Sequence, residues 1–109
     1  KEALLLKSES FYNAAINRLY YACYYAAVAL LIKHEIQPQT HNGVKTMLGL
    51  HFVSQGKLSK DHGNTFNTLF EKRHSGDYDD FVYCDREMVD ELYPKAEVFI
   101  QTIEEMLHQ

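Results

Sequence analysis

An all-α fold, an up-and-down antiparallel bundle of four to five helices, is what this sequence predicts, and three observations lead there. Only two prolines and five glycines interrupt the 109 residues. No stretch alternates β-branched and polar residues as a half-buried strand requires. Apolar residues instead recur at three- and four-residue intervals through long segments, and the short connections between those segments favour antiparallel neighbours. The chain reads as a single domain over 1–109, long enough to bury one core, with no internal repeat, low-complexity segment or linker.

Residues 1–7 (KEALLLK) read as the last turns of a helix whose start is missing, and the absence of an initial Met points to a fragment. Ser8–Ser10 break the pattern and offer N-cap hydroxyls to the next helix, over 10–35. That helix is the longest and most apolar: Ala14, Ala15, Leu19, Ala22, Ala26, Ala29 and Leu30 leave little polar surface outside Asn17 and Arg18. A helix apolar nearly all round sits centrally in a bundle or is buried in an oligomer. Pro38 disfavours helix at Gln37 and ends it. Thr40 caps a third helix over 41–55, where Val44, Met47, Leu48, His51 and Phe52 recur at helical spacing, and residues 55–59 make the turn. The fourth helix, over 60–75, turns Phe66, Leu69 and Phe70 inward and stops near Gly76, a C-cap glycine. Asp85 caps a last helix to about 107, with Val89, Leu92, Ala96, Phe99, Ile100, Ile103 and Leu107 as its buried stripe. Pro94 lies inside that stripe and predicts a kink, or a helix that begins there.

Hydrophobic residues at 46% and charged residues at 24% are the proportions of a soluble globular protein. The longest apolar run, Tyr20–Ile32, is too short to cross a bilayer and no signal-peptide pattern opens the chain, which places the protein in the cytoplasm. A net charge of −4 argues against a broad electrostatic footprint for nucleic acid and leaves room for a local basic pocket. Cys23 and Cys84 follow no metal or redox spacing, and Cys23, within the most apolar helix, reads as a buried free thiol. The six histidines form no metal-binding pair or cluster, so neither metal nor cofactor is expected. No phosphate-cradling glycine loop or nucleophile elbow is present. His51 reads as a hydrogen-bonded packing residue, whereas His41, just after the Thr40 cap, is able to face a neighbouring helix or an anion.

Two polar constellations remain. In NRLYYACYY (17–25), helical spacing puts Asn17, Tyr21 and Tyr24 on one face and Arg18, Tyr21, Ala22 and Tyr25 on an overlapping one. The tyrosines either pack the core with their hydroxyls tied to helix ends, or line a polar groove with Asn17 and Arg18. Arg18, in so apolar a helix, calls for a carboxylate or phosphate partner, because burying it unpaired is costly. In RHSGDYDD (73–80), Arg73 and His74 precede Asp77, Tyr78, Asp79 and Asp80, either as a solvated helix end or as a site built on the arginine.

AAINRLYYACYYAAVALL (14–31), THNGV (40–44) and RHSGDYDD (73–80), closed by AEVFIQTIEEM (96–106), resemble a small prokaryotic HEPN-domain protein over nearly the whole chain. The resemblance implies an up-and-down bundle that dimerises through its long helices and works with a minimal nucleotidyltransferase in a toxin–antitoxin pair. It also implies metal-independent endoribonuclease chemistry, built on an Arg followed after four to six residues by a His. The Arg would hold the scissile phosphate and the His would move the 2′-hydroxyl proton.

This chain departs from that pattern, since the expected His positions after Arg73 hold Tyr78, Asp79 and Asp80. The leading expectation is therefore a homodimeric domain binding nucleotide or RNA phosphate through Asn17, Arg18, Tyr21, His41, Arg73 and Tyr78, acting with the nucleotidyltransferase. Tyr78 is a target for adenylylation by that partner, which would set negative charge beside the arginine. Two alternatives stand beside this one. The first is a metal-independent endoribonuclease with Arg73 as phosphate clamp and His41, His74 or Asp79 as proton acceptor. The second is a non-catalytic dimeric scaffold in which the arginines pair with carboxylates.

Overall fold

The computed structural model describes the backbone of residues 2–72 and 85–109, with side chains described for 11–72 and 85–109. Four α-helices make up the fold: α1 (Glu2–Lys33), α2 (His41–Leu48), α3 (Lys60–Lys72) and α4 (Arg86–Leu107). A single π-helical turn, Gly49–Val53, continues α2. No strand occurs among the described residues, and the all-α bundle is as expected.

Helix α1 does not break at Ser8–Ser10, contrary to the sequence expectation, and runs unbroken from Glu2. Serine in a helix interior costs only a few tenths of a kcal/mol, whereas stopping and restarting would repeat the unfavourable nucleation step. The other end closes earlier than Pro38 demands. Glu35 takes a left-handed φ of 64°, the Ile36 N–H donates to the Leu31 carbonyl (2.8 Å), and the Glu35 N–H donates to that of Ile32 (2.9 Å). These paired bonds are a Schellman motif, built here on a glutamate instead of the usual glycine.

The connection between α1 and α2 decides the topology. His41 at the start of α2 contacts Tyr20 and Tyr24, while Phe52 at its far end meets His34 with ring centroids 5.1 Å apart. Helix α2 therefore runs in the same sense as α1, returned by the segment around Pro38. An extended seven-residue connection reaches roughly 23 Å, enough to retrace the ~20 Å of helix between Tyr20 and Lys33. Antiparallel packing holds for α3: His62 lies by Thr102 and Phe66 by Phe99 on α4, and its Gly63 end lies against Val53. Helix α4 again parallels α1, with Cys23 by Ala96 and the Lys33 ammonium donating to the Met106 and Leu107 carbonyls at 3.0 and 2.6 Å. The alternation of directions is thus not strict.

The core follows the helical periodicity. Ile16, Tyr20, Cys23, Ala27, Leu30 and Leu31 of α1 are buried against Val44, Leu48 and Phe52, Phe66 and Leu69, and Leu92, Ala96, Phe99 and Ile103. Val89, Ile100 and Leu107, expected in the α4 stripe, are partly buried beside it. Thr40 and Asp85 cap as the sequence indicates, accepting from the Gly43 and Met88 N–H groups at 2.8 and 3.0 Å. Helix α4 passes through Pro94 and does not begin there. The proline lacks an N–H, so the Asp90 carbonyl loses its partner one turn back, a cost the packed stripe on both sides offsets.

Segment Phe11–Lys33 is, by length and composition, apolar enough to cross a membrane, unlike the shorter run that stands out in the sequence. Its inward face is covered by the other helices, the pattern of a central bundle helix.

Cys23 is a buried free thiol, and burial pushes its pKa from 9.0 up to about 12. Below 9.0 the folded and unfolded chains both hold this proton. Between 9.0 and about 12 the unfolded chain releases it and the folded chain does not, so stability falls as pH rises. In denaturant melts the wild type should lose roughly 2 kcal/mol more than Cys23→Ala between about pH 8 and about pH 10.5. Equal losses would mean that Cys23 is not shielded from solvent.

Candidate functional site

The parallel run of α2 brings the start of that helix against the middle of α1. Tyr20 is completely buried, and its hydroxyl shares a hydrogen bond with His41 Nδ1 at 2.8 Å. Tyr24 stacks on the same imidazole with centroids 4.3 Å apart and planes at 16°, and Tyr21 meets its edge at 6.0 Å. His41 is half-buried, and among the described residues Nε2 has no hydrogen-bond partner. The imidazole is held by one nitrogen and two aromatic faces while the other nitrogen stays available to a ligand.

The last turn of α3 completes the surroundings. Phe70 meets the Tyr20 ring at 6.1 Å, and the Lys45 ammonium sits 5.0 Å above the Phe70 ring. Lys45 is four residues after His41, on the same face of α2. The described part of α3 runs to Lys72, immediately before Arg73 in sequence. Tyr20, Tyr21, Tyr24, His41, Lys45 and Phe70 thus form one aromatic and cationic cluster where three helices meet. A ring stacked on a phenol, with a free nitrogen and an ammonium close by, is suited to a nucleobase or a phosphate oxygen.

Of the residues chosen from the sequence, Tyr21 and His41 belong to this cluster. Asn17 is half-buried one turn before Tyr20 and Tyr21 and makes a further interaction of its own. Arg18 is exposed, so the premise that it is buried and demands a counter-charge does not hold, since water solvates the guanidinium. Arg73, His74, Asp77, Tyr78, Asp79, Asp80 and Cys84 lie outside the described residues. His51 is half-buried in the π turn, and among the described residues its side chain has no hydrogen-bond partner, so it is not the hydrogen-bonded packing residue expected. No group of three His, Cys, Asp or Glu residues suited to a metal ion occurs among the described residues.

Sequence reasoning missed Tyr20, Lys45 and Phe70. The buried positions of α1 (Ile16, Tyr20, Cys23, Ala27, Leu30) step by four and three, but the helix is apolar on its other faces too, so no signal in the sequence marks Tyr20 as the inward tyrosine. A groove of about 820 Å³ between α3 and α4 is lined, among the described residues, by none of the predicted site residues. Its Lys72 and Lys95 are balanced by Asp61 and Glu91, which removes any electrostatic preference for an anion.

A family model described as the HEPN domain matches residues 1–106. The chain belongs to the HEPN family. It is similar to a UPF0332 protein of Thermotoga maritima, 38% identical over 95% of this chain and 78% of that protein. Two proteins of Methanocaldococcus jannaschii, each carrying the name putative toxin, are also similar. One is 31% identical over 98% of this chain and 79% of its own length, the other 29% identical over 94% and 69%. No solved structure matches the chain significantly. The HEPN resemblance seen in NRLYY and THNGV thus extends to the family as a whole, and both segments contribute to the cluster: Tyr20 and Tyr21 from the first, His41 from the second.

Replacing Tyr20 by Phe should remove the bond to His41 and leave Nδ1 unpaired in a partly buried place. The expected cost is about 1 kcal/mol, seen as a fall in Tm of roughly 5 °C. An unchanged Tm would show that the bond contributes nothing to holding α2 on α1.

Proposed function

We propose that this HEPN domain is the toxin-like member of a pair and binds the phosphate and base of RNA or a nucleotide at the His41 cluster. The observation that carries this reading is the half-held imidazole: Nδ1 is committed to Tyr20, Tyr24 covers one face, and Nε2 is left for a ligand. Asn17, Tyr21 and His41 supply the contacts from α1 and α2, while Arg73, next in sequence after Lys72, supplies the guanidinium for a bidentate phosphate contact. Tyr78 belongs to the same reading as the residue a minimal nucleotidyltransferase partner would adenylylate. The names of the two archaeal relatives support the toxin-like role, and a cytoplasmic setting is part of the same proposal.

The exposed face of α1 supports a homodimer. Phe11, Arg18, Tyr25 and Ile32 recur every seven residues, with Tyr21 between them, and Phe11 and Tyr25 are 66% and 65% exposed. A seven-residue repeat of large side chains, apolar at Phe11, Tyr25 and Ile32 and broken by Arg18, fits a helix–helix seam on a long helix, and exposed Ala14, Ala22 and Ala29 leave room for close approach. In a two-fold dimer formed this way Arg18 lies in the seam, beside the tyrosines that lead to His41. Tyr25→Glu should convert a dimer to a monomer in light scattering. A dimer persisting in that variant would exclude the α1 seam.

A second reading, metal-independent endoribonuclease activity, gains from the position of His41. The chain has no His where the family motif sets one after Arg73, and the fold supports a substitute from α2, against the last turn of α3. Wild type should bind single-stranded RNA in EDTA, with His41→Gln and Arg73→Ala each weakening it at least tenfold, a loss of about 1.4 kcal/mol. Equal binding by all three proteins would refute the site. Cleavage of structured RNA by wild type but neither variant would establish the nuclease, and cleavage by none would exclude it.

A further inference from the structure

A smaller groove, about 420 Å³, runs between α2 with its π turn and α3. Lys45, Thr46 and Leu50 form one wall, and Lys60, Asn64 and Asn67 the other. Among the described residues no carboxylate lines it, in a chain whose net charge is −4. On α3, Lys60, Asn64 and Asn67 follow at intervals of four and three and so present one polar face. Gly63 closes the floor: a methyl group built there would come within 3.0 Å of Val53 Cγ2, so the two helices meet directly below the groove. Gly49 opens the wall of α2, with nothing within 4 Å of the place a side chain would start, and leaves backbone accessible from the groove.

Charge is segregated along the chain in the same sense. Between 40 and 72 the charged residues are Lys45, Lys57, Lys60 and Lys72 against Asp61 and Glu71. Helix α4 carries Glu87, Asp90, Glu91, Glu97, Glu104 and Glu105 against Arg86 and Lys95. Lys45 lines the groove and also stands over Phe70, one helical turn from His41, so the groove and the cluster already described share this residue.

We infer that this groove is a second phosphate site, carrying the sugar–phosphate backbone of a single-stranded RNA away from the His41 cluster. The inference rests on the proposed RNA reading of that cluster and extends it. Lys45 and Lys60 neutralise successive phosphates, Asn64, Asn67 and Thr46 donate to phosphate and sugar oxygens, and exposed Leu50 packs against a ribose or base. A mononucleotide fills the cluster alone, whereas a strand of several nucleotides uses both sites. Selection for length, not for base identity, is the expected property.

The test compares a labelled single-stranded RNA of about ten nucleotides with AMP, each titrated against wild type, Lys60→Gln and His41→Gln over a range of salt concentrations. Lys60 is exposed at the start of α3, and its replacement should leave the thermal melt unchanged. Lys60→Gln should bind the RNA about fivefold more weakly, with a salt slope smaller by about 0.7, and bind AMP as wild type does. His41→Gln should weaken both ligands. RNA binding by Lys60→Gln that equals wild type in affinity and slope, with His41→Gln still impaired, would overturn the groove and leave the cluster standing. A wild type that binds AMP but not the RNA would likewise overturn the groove alone. No binding of either ligand by wild type would overturn the cluster reading and the groove with it. Lys60→Gln that instead changes self-association without changing RNA binding would assign the groove to protein contact and overturn the inference.

Discussion

The hydrogen bond between Tyr20 and His41 is the interaction on which the rest of this structure turns. It joins the middle of the longest helix to the first residue of α2, twenty-one positions further along, and it lies at the end of an extended return past Pro38. Without a fixed point there, a short helix and its π turn would rest on α1 through apolar side chains alone, and such contacts tolerate sliding. A buried phenol and an imidazole with complementary hydrogen-bonding groups do not, because a displaced pair leaves a polar atom unsatisfied. The same bond fixes the register in which Val44, Leu48 and Phe52 enter the core, and with it the wall that α2 offers to α3.

Function and stability meet in this one pair. Holding His41 by Nδ1 orients the ring, and stacking on Tyr24 removes much of its remaining freedom, so that the proposed binding at Nε2 would carry little further ordering cost. Lys45 beside the cluster comes from α2, and α4 carries six of the fifteen acidic residues against two basic ones. An acidic protein therefore keeps a locally positive face without changing its net charge. HEPN membership and the two relatives named as toxins fit such an arrangement.

Much of the fold is legible in the sequence, for physical reasons. Capping at Thr40 and Asp85 depends on residue type and immediate neighbours, and the buried stripe of α4 depends on a period its polar residues make visible. The failures are equally specific. Ser8–Ser10 look like a boundary because serine favours caps, yet a helix interior tolerates it. Helix α1 is apolar nearly all round, so periodicity does not say which of Tyr20, Tyr21, Tyr24 and Tyr25 faces inward, and Arg18 reads as buried although it is exposed. The direction of α2 is hidden because a connection long enough to retrace α1 reads as an ordinary loop. His41 stands out only by its position after a cap, and its partner Tyr20 does not, since their meeting depends on that return.

Whether the His41 cluster receives nucleic acid is tested most directly by ultraviolet cross-linking of single-stranded RNA to the intact protein, with the linked residues located by mass spectrometry. Cross-links are expected at Tyr21, Tyr24 or His41, and are expected to be lost when Tyr20 is replaced by Phe. Cross-links confined to α4, or the same pattern in the Tyr20 variant, would contradict a binding role for the cluster.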